Sequence, residues 1–218
     1  IMVGFISSAA LAAVGVSMQF LMLNYAFMTV FYVGVGAIIS RLYGAGKLEE
    51  VNVALFNTML FATALALPLT FLGIFVNPYF FEWMNLSGDS YTLGVEYLGI
   101  LLLTLPLMFF RVVVVSAFSA IGDTKTPMKI KIAMSFLNFI FNYLLIFGVF
   151  GFPGLGVAGA AYSTVIVTVL ECFIYLYLYV RANNTLYFVK KFDYSYVNRV
   201  LKVGIPTGIE RGLTFSGM

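Results

Sequence analysis

Few residues within the long apolar stretches of this chain have side chains able to hold an ion or a polar ligand. The stretch at 128–149 carries Ser135, Asn138 and Asn142, spaced by three and four residues. On a helix that spacing places all three on one face. The stretch at 157–180 carries Thr164, Thr168 and Glu171, spaced by four and three. A short connector joins the two stretches, which makes them antiparallel neighbours, with Asn142 and Thr164 at similar depth. Two facing polar stripes either bridge the helices or line a polar cavity. The oxygens available are hard and mostly neutral, and they suit a cation or a hydrogen-bonding solute.

Two ionisable residues stand deeper. Arg111 and Glu171 each lie about ten residues from the same end of their stretches. An isolated charge at that depth costs several kcal/mol, so the two are expected to meet as a buried pair. The alternatives are an Arg111 that snorkels to the surface or a Glu171 that is protonated. Other chemistry is excluded by composition. With no His and one Cys, Cys172, zinc, haem and Cys/His catalysis have no ligand set. No paired acids, nucleophile elbow or phosphate loop is present, and Gly34-Val35-Gly36 lacks the Lys that a phosphate loop needs. The chain is not expected to be an enzyme.

The elements that position these residues are membrane spans. Of 218 residues, 62% are hydrophobic and 10% charged, against about 25% charged in soluble domains. Lipid must be the solvent for most of such an exterior, and in lipid a helix satisfies its own backbone. Spans are expected at 9–40, 52–76, 92–121, 128–149 and 157–180. Residues 1–6 read as the tail of an earlier span and 203–218 as the start of a later one. Pro68 and Pro106 lie inside spans and predict kinks. The chain opens on Ile1-Met2-Val3-Gly4 with no charged region ahead, so no signal peptide is expected. It reads as part of a longer protein.

Charge gives the orientation. The connector at 41–51 holds Arg41 and Lys47, that at 122–131 holds Lys125, Lys129 and Lys131, and that at 181–202 holds five more basic residues. The connectors at 77–91 and 150–156 hold none, so ten of the twelve basic residues fall on one side. That side is expected to be cytoplasmic, in a multi-pass protein of the cell membrane. No basic stripe is interleaved with stacking aromatics, so nucleic acid is not an expected partner. The 181–202 connector mixes its bases with Tyr and Phe and reads as an interfacial linker.

Four strings occur in order along the chain: Tyr43-Gly44-Ala45-Gly46-Lys47, Gly122-Asp123-Thr124-Lys125-Thr126-Pro127-Met128, the glycine-rich run from Phe147 to Thr164, and Gly204-Ile205-Pro206. Together they resemble the multidrug and toxic compound extrusion (MATE) transporters. The resemblance implies an all-α, polytopic membrane bundle: one six-helix lobe of a twelve-helix antiporter. It divides the chain into an N-terminal lobe at 1–180, an inter-lobe linker at 181–202 and the start of helix 7 at 203–218. It implies Na⁺- or H⁺-driven export of amphipathic organic cations by alternating access, with a C-terminal lobe as partner and no cofactor beyond the coupling ion. A lipid-linked oligosaccharide flippase of the same wider superfamily is the alternative. Such flippases line the cavity with many basic residues, and Arg111 is the one available. The family pattern places a cation site, with Na⁺ as a candidate, at Asn138, Asn142 and Thr164. Ser135, Thr168, Glu171 and Arg111 are left as transport-cavity candidates. Three departures stand out. Asn142 replaces an Asp, the helix 1 acid would precede Ile1, and Ser119 stands where many relatives have Arg.

Overall fold

The computed structural model describes residues 7–149, 154–181 and 185–216, with side chains as far as Glu210. The expected span tail at 1–6, residues 150–153 of the glycine-rich run and the side chain of Arg211 lie outside the described residues. The fold is all-α, with seven helices among the described residues: α1 (Ser8–Gly44), α2 (Leu48–Trp83), α3 (Asp89–Leu102), α4 (Leu105–Ala120), α5 (Lys125–Phe147), α6 (Gly156–Val180) and α7 (Tyr194–Ser216). Helices α1, α2, α5 and α6 are each long and apolar enough to cross a membrane, and α3 with α4, bent by 49° at their break, are together long and apolar enough for one broken span or a re-entrant loop. Their exteriors carry Phe71, Phe75, Phe136 and Phe173, each more than 60% exposed. Water would oppose such a surface; a bilayer accepts it.

Local chemistry sets the helix ends. Ser7 caps α1 by accepting from the Ala10 N–H at 3.0 Å. At the other end Lys47 N–H reaches Leu42 O and Gly46 N–H reaches Tyr43 O, with Gly46 at φ 73°. That paired closure needs a left-handed residue, which glycine adopts without a Cβ clash. The Gly122-Asp123 string does two tasks. Gly122 closes α4 in the same way (φ 88°), and the Asp123 carboxylate accepts from Thr126 N–H at 3.0 Å to cap α5. Pro127 follows in the first turn, where a missing N–H costs no helix bond.

The third span breaks at Leu103–Thr104. Pro106 has no N–H to give the Leu102 carbonyl, and Thr70 Oγ1 of α2 donates to it instead at 3.3 Å. Helix α2, by contrast, continues through Pro68 and Pro78. Helix α7 begins at Tyr194, nine residues before the expected 203. Asp193 explains the early start: its carboxylate accepts from Ser195 N–H at 2.9 Å. The Ser195 hydroxyl and N–H hold that carboxyl below its usual range.

The chain forms two compact units. One comprises residues 1–21, 67–105 and 131–170; the other comprises 22–66, 106–130 and 171–218. In the first, Gly159 lets α6 lie against α5 so closely that a Cβ there would meet the Leu145 carbonyl. In the second, Phe31 packs edge-on to Phe109 at 5.7 Å. There α1 and α7 meet backbone to backbone: a Cβ on Gly34 would strike the Val200 carbonyl, and one on Gly204 the Val30 carbonyl.

In the second unit two asparagines of α2 hold the segment ahead of α7. Asn52 Nδ2 donates to Thr185 O at 3.0 Å while its Oδ1 accepts from Tyr187 N–H at 2.7 Å. Asn57 repeats the pattern with Lys191 O at 2.7 Å and Asp193 N–H at 3.0 Å. Each amide substitutes for a neighbouring strand. Between them Phe56 packs edge-on to Phe188 and Phe192, at 5.2 and 5.6 Å.

Candidate functional site

The polar stripe of α5 and the facing side of α6 fall within the first unit. Asn142 Nδ2 donates to Asn138 Oδ1 at 2.8 Å, and the Ser163 hydroxyl donates to Asn142 Oδ1 at 2.5 Å. The three side chains form a directional chain across the α5–α6 seam. Asn138 and Asn142 are half-buried, and Ser163 is fully buried. Ser163 Oγ also lies 3.0 Å from Ala160 O, so its single proton has two acceptors.

Ser163 escaped the sequence reading, which selected its neighbour. The Thr164 hydroxyl donates to Ala160 O at 3.0 Å, a bond within its own helix. The signal for Ser163 lay in Gly159, which marks the face of α6 that approaches α5; Ser163 is four residues beyond it on that face. Ser135 is exposed and takes no part in the chain. Thr168 is buried on α6, three residues before Glu171.

The pair expected between Arg111 and Glu171 is present in the second unit. Arg111 Nη1 donates to Glu171 Oε2 at 2.8 Å. The Glu171 side chain is 4% exposed and that of Arg111 18%. Arg111 therefore does not snorkel to the surface. Beside the pair the Cys172 thiol lies 3.3 Å from Leu107 O. Among the described residues no three acidic, His or Cys side chains gather into a metal cluster. The oxygens of Asn138, Asn142 and Ser163 are neutral hard donors, the type a sodium ion accepts.

An all-helical chain with an apolar exterior, a buried ion pair and an amide–hydroxyl chain within its spans is a multi-pass membrane protein of the transporter class. The MatE family model matches residues 1–144, and the chain belongs to this family, the MATE transporters. It is 30% identical over 190 residues to the probable multidrug resistance protein YoeA of Bacillus subtilis, covering 82% of this chain and 41% of that protein. It is 30% identical over 223 residues to the probable multidrug resistance protein NorM of Thermotoga maritima, covering 99% and 47%. The fold matches a structure described as the outward-facing conformation of a multidrug resistance MATE family transporter of the MOP superfamily, with TM-score 0.85 and 23% sequence identity, covering 94% of this chain and 46% of that one. The chain thus spans about half the length of the relatives it matches.

Proposed function

We propose that this chain is the N-terminal lobe of a sodium-coupled antiporter that exports amphipathic organic cations by alternating access. The observation that carries this reading is the Asn138–Asn142–Ser163 chain, set across two spans in a family whose relatives are named multidrug resistance proteins. Sodium is favoured over the proton because the chain holds no titratable group, while Glu171 is committed to Arg111. Asn138, Asn142 and Ser163 would supply oxygens to the ion. The Ser163 proton can turn to Ala160 O and free Asn142 Oδ1, so admitting a cation does not strand a buried donor. Thr164 stands beside them as a further ligand. Ser135 and Thr168 of the first unit, and Arg111 and Glu171 of the second, are each kept as candidate residues for substrate transport. The basic connectors face the cytoplasm of a cell membrane, and 181–202 leads to a second lobe.

Pairing of Arg111 with Glu171 also argues against the flippase reading, since the basic residue such a cavity would offer is already neutralised. The test uses the complete reading frame in inverted membrane vesicles. Uptake of a fluorescent cationic dye is followed with sodium and proton gradients imposed separately. Sodium-driven uptake is expected. Uptake driven by protons alone would move the coupling site away from Asn138 and Asn142, and no uptake with either gradient would defeat the antiport reading.

A further inference from the structure

The segment ahead of α7 is backbone without a helix, and the helix that holds it gives its depth. From Val51 to Phe81, helix α2 carries no Asp, Glu, Lys or Arg. Those 31 residues rise about 46 Å. That length matches a bilayer with its headgroup layers, ~40–45 Å thick around a hydrocarbon core of ~30 Å. The water boundary at this end therefore falls near Glu50. Asn52 lies two residues inside it and Asn57 seven, about 3 and 10 Å along the helix. The amides of these two residues engage Thr185 O, Tyr187 N–H, Lys191 O and Asp193 N–H. Residues 187–193 thus run beside the part of α2 that crosses the headgroup layer, all within the second unit.

Two further contacts agree with that depth. The Lys191 backbone is held at Asn57, yet its ammonium reaches Glu49 at 3.3 Å, eight residues nearer the start of the helix. A lysine that turns its charge back toward water from a less polar level is snorkelling. From the first turn of α7, the Tyr196 hydroxyl likewise donates to Glu50 Oε2 at 3.0 Å.

The side chains fit the same layer. Phe188, Phe192 and Tyr194 are 51%, 66% and 72% exposed, and Lys190 and Lys191 are exposed between the two Phe rings. Aromatic rings interleaved with lysines suit the headgroup level, where rings meet acyl chains and ammonium groups meet phosphates. Outside a helix, backbone at this level must have its polar groups satisfied by the protein. Four hydrogen bonds from two asparagine amides do so, from a stretch of α2 that is buried without interruption from Val51 to Met59. A loop in water would need no such grip.

We infer that residues 187–194 form a membrane-seated brace: the segment lies in the headgroup layer of the leaflet at the basic end, its partner is the phospholipid surface, and Phe188, Phe192 and Tyr194 insert between lipids. The placement requires that the chain span a bilayer and does not depend on drug export, so label depth and dye uptake can fail independently.

The test places a nitroxide on the full-length protein in nanodiscs of phosphatidylcholine and phosphatidylglycerol. Labels are attached at Phe192→Cys and, separately, at Tyr194→Cys, with Cys172→Ser and any other cysteine replaced. Tyr194→Cys covers the case in which losing the Phe192 ring from Phe56 unfolds the segment. Collision with oxygen, which enters the bilayer, and with a nickel chelate, which stays in water, gives the depth of each label. Lys125→Cys, exposed at the start of α5, is the water reference, and Phe173→Cys, 64% exposed on α6, is the lipid reference. At both brace positions nickel collision should fall severalfold below that at Lys125→Cys, with oxygen collision between the two references. A folded variant of either kind whose nickel collision equals that of the Lys125→Cys label would put the segment in water and overturn the proposal. Suppression of both collisions would mean that the rest of the protein covers the segment, which also overturns it.

Discussion

Arg111 and Glu171 are 60 positions apart in the sequence and 2.8 Å apart in the fold. Their pairing ties α4 to α6 through a charge-assisted hydrogen bond shielded from water. Removing one partner strands the other. Arg111→Leu or Glu171→Leu alone should therefore destabilise the protein by about 3–5 kcal/mol, whereas the double variant should recover most of that loss. Chemical denaturation in mild detergent measures it. A double variant as unstable as the sum of the two singles would show that the groups act separately.

Ser163 should matter more than Thr164. Ser163→Ala removes a bridging hydroxyl, worth roughly 1–1.5 kcal/mol, or about tenfold in the sodium concentration for half-maximal dye uptake. Thr164→Val should shift it less than twofold, since that hydroxyl serves its own helix. Asn138→Leu and Asn142→Leu should abolish sodium-coupled uptake while the protein still inserts. Comparable losses in the Ser163 and Thr164 variants would return Thr164 to the centre of the site.

The glycines of α1 and α7 divide by surroundings. A Cβ at Gly15 meets nothing within 4 Å, so Gly15→Ala should be neutral or stabilising by up to about 1 kcal/mol. Gly204→Val drives its side chain into the Val30 backbone where α7 meets α1 and should cost about 1–3 kcal/mol. Thermal unfolding of the two variants side by side gives the comparison; equal melting temperatures would mean that α1 and α7 do not approach as described.

Asn52→Ala with Asn57→Ala should release residues 185–193 from α2. Each substitution leaves buried backbone groups without partners, at about 1–3 kcal/mol apiece. Limited trypsin digestion at Lys190 and Lys191 reads the release. Cleavage at the wild-type rate would assign the anchoring to Phe56, Phe188 and Phe192 instead.

Much of this was legible because it is written locally. The spans follow from runs of apolar residues, and the α5 stripe from spacings of three and four. Arg111 and Glu171 could be matched because depth in a bilayer is a one-dimensional quantity that residue counting supplies. Ser163 was missed because the four-and-three spacing with Thr168 and Glu171 selects Thr164, whereas the close approach of Gly159 to Leu145 turns the adjacent face, with Ser163, toward α5. The grip of Asn52 and Asn57 was invisible for another reason. It joins side chains to backbone groups more than 130 positions away, and a backbone carries no sequence signature. The same holds for the start of α7, where one carboxylate outweighs a polar composition that reads as a loop.

The anchored segment also changes the polymer physics of the chain. The nine residues from Thr185 to Asp193 could extend over about 28 Å if free. Pinned at both ends to α2, they contribute no slack. Whatever follows α7 is launched from a fixed point in a fixed direction, rather than from the end of a wandering tether. In the proposed two-lobe protein, the encounter between the lobes would take place at an effective concentration set by the stiffness of one bracket, and loosening the bracket would lower it without touching any contact between them.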